Sequence, residues 1–121
     1  MTTTSEGENM SKKVKMIALI KIKPGMSRDQ FKRRWVDEHA LFTCKFPNLK
    51  GYLINIPIEE YQQIEGNLPY DGTAELFWDS IEEAKADFAS AESRAAGVDA
   101  DEFTIIRDHI FVEEFVAKPR S

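Results

Sequence analysis

The sequence predicts an α+β domain of ferredoxin-like type, with element order βαββαβ: an antiparallel four-stranded sheet carrying two helices on one face. Two patterns lead to it. Apolar residues alternate with a period of two over residues 14–23, 50–58, 73–78 and 109–117, as in strands covered on at least one side. Between the first two of these stretches, and again between the last two, apolar residues recur every three or four positions, as on the buried stripe of a helix. The 121 residues suit one domain.

Residues 1–13, MTTTSEGENMSKK, read as a polar, flexible leader. In the first strand, VKMIALIKIK, the residues Val14, Met16, Ala18, Ile20 and Ile22 share a face, and Ile17 and Leu19 lie on the other between lysines. Pro24-Gly25 signals a turn. Ser27 followed by Gln30 forms a capping-box pattern, with Met26 placed to pack on Phe31. The stripe Phe31, Trp35, His39, Phe42, Phe46 then holds one helix face toward the sheet, until Pro47 and Asn48 end it.

The second strand, KGYLINIPI, places Tyr52, Ile54, Ile56 and Ile58 together; Pro57 has no N–H and belongs near its end or at an edge. Residues 59–70 form a polar connection carrying Tyr61, Ile64 and Tyr70, long enough to suggest a functional loop. Asp71-Gly72 marks the next turn. Strand TAELFW sets Ala74, Leu76 and Trp78 against Thr73, Glu75 and Phe77. Asp79 and Ser80, with Glu83, offer a cap for a helix through Ile81, Ala84, Phe88, Ala91 and Ala95 that Gly97 ends. A short helical turn over 99–107 precedes the last strand, 109–117, where Ile110, Val112, Glu114 and Val116 oppose Phe111, Glu113 and Phe115. Residues 118–121 are a polar tail.

Right-handed crossovers put both helices on the same side of the sheet. The other side then exposes Ile17, Leu19, Phe77, Phe111 and Phe115, and pairing with a second copy, a homodimer, would remove that apolar area from water.

Composition narrows the function. Lys and Arg number 16 against 21 Asp and Glu, a net charge of −5, and the basic residues are dispersed without interleaved aromatics, so nucleic acid is not expected as a partner. Cys44 is the single cysteine, which rules out an internal disulfide, and nothing beside it in the helix suits its activation. No apolar run approaches the length of a membrane span or a signal peptide, which points to the cytoplasm and to no membrane partner. His39 and His109 stand far apart with no metal-ligand spacing, and no Gly-rich nucleotide loop occurs, so neither a metal nor a cofactor is expected.

His39 is the leading site residue. It interrupts an aromatic stripe, so its ring faces the sheet, either to exchange a proton near neutral pH or as a core histidine satisfied by a hydrogen bond. Glu75, mid-strand, would orient His39, act as the base itself, or pair with a Lys or Arg. Glu114 shares the parity of the last strand's apolar face and so enters either a pocket or a polar network. Tyr61, Tyr70 and Asp71 sit where a loop would close over a pocket, a tyrosine supplying a phenol as acid or donor. Trp35, Phe42 and Trp78 are core residues with lining a pocket as an added role.

Three stretches, MIALIKIKPGMSRDQFKRRWVDEHA, DGTAELFWDSIEEA and the closing FVEEF, resemble the ethyl-tert-butyl-ether-degradation (EthD) family over residues 14–117. The resemblance implies a dimeric α/β barrel, two ferredoxin-like subunits with sheets back to back, and a pocket between sheet and helices for small cyclic or aromatic compounds. Relatives in that superfamily include muconolactone isomerases, polyketide cyclases and monooxygenases. The family's histidine falls on His39, its helix aromatic on Trp35, and its strand glutamates on Glu75 and Glu114. Residues and resemblance together lead to a small-molecule enzyme working by cofactor-free proton chemistry of isomerase, cyclase or lyase type, or as a cofactor-independent oxygenase. His39, Glu75 and Tyr70 would be catalytic, and the substrate a cyclic or aromatic carbonyl or lactone compound. The alternative is a non-catalytic ligand-binding or accessory protein of a degradation pathway.

Overall fold

The structure, a computed structural model, describes residues 12–58, 60 and 68–121. The expected leader (but for Lys12 and Lys13), Tyr61 and Ile64 lie outside the described residues. Strand β1 (Val14–Ile22) leads into helix α1, which runs over 28–43 as an α-helical start (Arg28–Arg33), a π-helical segment (Arg34–His39) and a final α-helical turn (Ala40–Thr43). Then follow β2 (Gly51–Asn55), β3 (Gly72–Trp78), α2 (Ile81–Phe88), α3 (Ala91–Asp101) and β4 (Thr104–Val112). The strands form one antiparallel sheet in the order β2-β3-β1-β4, the ferredoxin-like arrangement.

Local chemistry explains the helix starts. Gln30 N–H donates to Ser27 Oγ at 3.1 Å and Ser27 N–H to Gln30 Oε1 at 2.9 Å, which completes the expected capping box. Gly25 turns the chain with φ +93°, a conformation that a Cβ would strain. Ser80 caps α2 through Glu83 N–H. A second cap, Ser90 accepting from Ser93 N–H, divides the expected single helix into α2 and α3. Gly97 therefore does not end a helix; it lies inside α3.

Alternation decides which face is dry. Met16, Ala18 and Ile20 of β1 and Ala74, Leu76 and Trp78 of β3 are buried beneath the helices, against Phe31, Trp35, Ala96, Ala100 and Phe103. Gly72 is required here: a Cβ would come within 2.6 Å of the Trp35 ring. After His39 the buried positions are Thr43 at the end of α1 and Phe46 just beyond it, and Phe42 is only half-buried.

The last strand begins at Thr104, five residues before the expected 109–117, and ends at Val112. Pairing with β1 sets this register, with Ile20 opposite Arg107, Ala18 opposite His109 and Met16 opposite Phe111. Phe111 consequently belongs to the helix side, edge-on to Phe88 at 5.8 Å between ring centres, and not to the outer face where it was expected. Glu113, Glu114 and Phe115 follow the strand instead of lying in it. The outer face carries Ile17, Leu19, Leu53, Phe77, Ile106 and Ile110, of which Leu53 is 43% and Ile110 51% exposed.

Asp87 of α2, fully buried, ties the layers together. Its carboxylate accepts from Trp78 Nε1 at 2.7 Å, from Asn48 N–H at 3.0 Å and from Asn48 Nδ2 at 3.0 Å, so β3, α2 and the segment after α1 share one acceptor. This network engages the indole N–H of Trp78. Asp87→Ala strands these donors in a dry interior and lowers unfolding free energy by about 3 kcal/mol, which urea denaturation measures; Asp87→Asn retains part of the acceptor set and loses less.

Candidate functional site

The site begins with the π-helical segment. Residues five apart lie about 140° apart around an α-helix, so Arg34 and His39 would point in different directions. Here Ala40 N–H reaches back to Trp35 O, five residues earlier, and that wider turn carries Arg34 and His39 toward one side. Both meet Asp99 of α3. Arg34 Nη1 donates to Asp99 Oδ2 at 2.9 Å and Nη2 to Oδ1 at 2.7 Å, a bidentate pair, while His39 Nδ1 lies 2.8 Å from Oδ2. Phe103 packs beneath both, edge-on to His39 at 5.4 Å and under the Arg34 guanidinium at 4.7 Å.

The Arg34 guanidinium holds the Asp99 carboxyl below its ordinary value, so Asp99 is ionised. An ionised carboxylate only accepts, and Nδ1 of His39 must therefore carry the proton, leaving Nε2 as the basic nitrogen. Burial pushes the His39 pKa below its ordinary 6.5; the Asp99 hydrogen bond opposes this, and desolvation wins. The result is a neutral, oriented imidazole.

His39 opens onto a cavity of about 260 Å³ between the sheet and the helices. Its floor is Met16, Ala18, Ile20, Ala74 and Leu76; α1 supplies Trp35 and Thr43, and the segment after it Phe46; α3 supplies Ser93, Ala96, Gly97 and Ala100. Space survives because small residues, Ala18 and Ala74 below and Ala96, Gly97 and Ala100 above, face each other across the layers. Tyr52 reaches in from β2, its hydroxyl accepting from Trp35 Nε1 at 3.0 Å, and burial raises its pKa above the ordinary 10.0. Arg107 and His109 close the β4 side, with His109 exposed at the mouth. A larger groove of about 500 Å³ beside Gly25, Gln30, Arg33 and Glu102 is lined by exposed groups. Among the described residues no cluster of three or more His, Cys, Asp or Glu is placed to hold a metal.

The expected site residues divide between the two faces of the sheet. His39 and Trp35 line the cavity; Phe42 stacks against His39 at 6.4 Å from outside the lining, and Thr43 takes the place expected for it. Trp78 lies in the core with Asp87. Glu75 sits opposite Ile17 on the outer face, where Lys15 Nζ is 2.7 Å from Oε1 and Asn55 Nδ2 donates to Oε2 at 3.0 Å. It cannot orient His39: strand alternation sends it the other way, and Asp99 has that place. Lys15 and Asn55 lower its pKa below 4.5. Glu114 joins the same Lys15 at 3.2 Å, after β4 has ended, and does not line the His39 cavity. Tyr70 donates to Asp108 Oδ2 at 2.7 Å, also on the outer face, and Asp71 Oδ2 accepts from Ile22 N–H at 2.9 Å, which fastens the loop to β1. Neither lines the cavity.

Asp99, Arg34, Tyr52, Arg107 and His109 went unrecognised as site residues. Asp99 was legible in part: with α3 extended to Asp101, it falls three residues after Ala96 and one before Ala100, on the buried side. The β4 pair required the register.

The sheet order and helical layer define a ferredoxin-like α+β domain with a pocket between its layers. The EthD domain model matches residues 23–105, and the chain belongs to the EthD family. No curated protein matches the sequence. Among solved structures, an EthD family protein from Bacillus halodurans is 24% identical, with a TM-score of 0.71 over 85% of this chain and 99% of that one. A dimeric ferredoxin-like protein of unknown function from Thermobifida fusca is 19% identical, with 0.65 over 84% and 91%. SnoaB, a cofactor-independent oxygenase from Streptomyces nogalater, is 8% identical, with 0.64 over 89% and 98%. No helix among the described residues is long and apolar enough to cross a membrane.

The depressed His39 pKa has a thermodynamic consequence. The unfolded chain binds a proton at this residue, near 6.5, before the native state does, so the stability is fully present above that value and falls as pH drops toward the native pKa. His109, partly desolvated by its packed neighbours and repelled by Arg107, is lowered too and adds in the same direction. Thermal midpoints decline from about pH 7 to about pH 5, His39→Asn flattens the decline, and an NMR titration finds the His39 ring titrating below 6.5.

Proposed function

We propose that the protein is a small-molecule enzyme in which His39 moves a proton on a small cyclic or aromatic carbonyl or lactone compound without a cofactor. The observation that carries this reading is the 2.8 Å contact of His39 Nδ1 with an ionised Asp99 at the wall of a largely apolar cavity. Nε2 takes a proton from the carbon beside the carbonyl, Asp99 stabilises the imidazolium so formed, and the same nitrogen returns the proton at a second position. Isomerisation and cyclisation both follow that course. The likeness in fold to a cofactor-independent oxygenase supports the cofactor-free aspect. Trp35 and Tyr52 are the pocket groups that would orient the substrate, and the cytoplasm is the location that goes with this reading.

Glu75 and Tyr70 lie on the opposite face, so neither serves as a second proton carrier beside His39 in one chain. That placement favours a second reading, a ligand-binding protein without turnover. Wild-type protein and His39→Ala assayed on muconolactone-like and polyketide-like compounds decide between them. Turnover that falls at least about a hundredfold in a folded variant supports the enzyme; undiminished turnover removes the mechanism, and saturable binding without turnover supports the carrier.

The same reading includes a homodimer formed through the outer face. Exposed Leu53, Ile106 and Ile110 share that face with the Lys15–Glu75–Glu114 cluster, and the Thermobifida relative is described as dimeric. Light scattering gives twice the chain mass for the wild type, and Ile110→Glu, which places a charge in the apolar patch, gives the single-chain mass.

A further inference from the structure

The cavity is apolar on most sides and cationic on one. Arg107 and His109 stand two positions apart on β4 and so share its helix-facing side, opposite Ile20 and Ala18. Among the described residues both line the cavity, and no carboxylate does. Arg34 differs: its charge is spent on Asp99, Glu38 and Glu102. Arg107 makes one ion pair, Nη1 to Asp101 Oδ1 at 2.7 Å, and the same nitrogen donates to Thr104 Oγ1 at 3.1 Å. Those contacts fix the guanidinium from one corner. Asp101 is 71% exposed, so water weakens its charge without cancelling it. Nε and Nη2 of Arg107 donate to nothing among the described residues, although a guanidinium has five N–H groups to place. Arg107 also makes protonation harder at both His39 and His109, so its field reaches across the cavity.

We propose that the ligand of this cavity is a small aromatic or alicyclic carboxylate, its anionic head on Arg107 and His109 at the mouth and its rings against Met16, Leu76 and Phe88. An oxyanion entering here meets an arginine with unused donors, its one carboxylate partner among the described residues standing outside the cavity, and a bidentate arginine–carboxylate pair uses the planar fork that lysine lacks. The volume of about 260 Å³ lies below the ~300–1,000 Å³ typical of drug-sized ligands, which limits the body to one or two rings. The inference rests on the cavity being the ligand site and is independent of whether His39 catalyses.

Calorimetric titration at low salt tests it with benzoate and cyclohexanecarboxylate against benzamide and benzyl alcohol. The carboxylates saturate one site per chain, and the neutral compounds bind about tenfold more weakly or worse. Arg107→Gln removes that preference and leaves the neutral compounds unchanged. Asp101→Asn alters an exposed residue outside the cavity and frees Arg107 of its counter-charge; it tightens carboxylate binding about threefold or more, and decides the matter should Arg107→Gln not fold. His39→Asn keeps the preference. Equal affinity for benzoate and benzamide, an Asp101→Asn protein with unchanged carboxylate affinity, or no saturable binding of any probe overturns the proposal. Carboxylate binding without turnover of any compound upholds it and refutes the enzyme reading, so the two fail separately.

Discussion

One carboxylate organises the site. Asp99 receives a bidentate arginine and an imidazole at once, and those two groups come from a helix segment that must widen to a π-turn to present both. A π-turn is less favourable than the α-helix around it, and it persists where tertiary contacts repay it. Arg34 serves here as the charge that keeps Asp99 ionised, and Asp99 in turn selects the His39 tautomer. Removal of either partner would leave a partly buried charge without its complement, so α1, α3 and the histidine are held as one unit.

Around that unit the packing is deliberately incomplete. The core around Trp78 closes tightly, the indole N–H of Trp78 and both N–H donors of Asn48 meeting the Asp87 carboxylate. Elsewhere Ala18 and Ala74 of the sheet face Ala96, Gly97 and Ala100 of α3 where bulkier residues would close the gap, and the cavity results. Rigidity and vacancy therefore sit side by side: the buried carboxylate network fixes the helical layer at one end, and the Asp99 unit fixes the catalytic candidate at the other.

Membership of the EthD family accounts for the scaffold and leaves the chemistry to the residues in the pocket, since one scaffold hosts many reactions. Two polar systems have separated across the sheet. On the helix side stand His39, Asp99, Tyr52, Arg107 and His109; on the outer side stand Lys15, Glu75, Asn55 and Glu114. The outer cluster lies in an apolar field, where ion pairs of modest strength in water would gain in specificity once covered.

Much of the architecture is written in local pattern. Alternation in β1 and β3, the Ser27–Gln30 capping box and the helical stripe were enough to determine the ferredoxin-like order, to turn His39 toward the sheet and to predict an apolar outer face. Those are consequences of short-range geometry, where a period of two or of three to four assigns each side chain to a face. What lay beyond the sequence was every decision made between distant segments. The register of β4 against β1 placed Arg107, His109 and Phe111 on the helix side and left Glu114 past the strand, and the same alternation that buries Leu76 sends Glu75 away from His39. The partnership of Asp99 with His39 joins residues 60 positions apart. Such pairings arise from the docking of one element on another, and no local period encodes them.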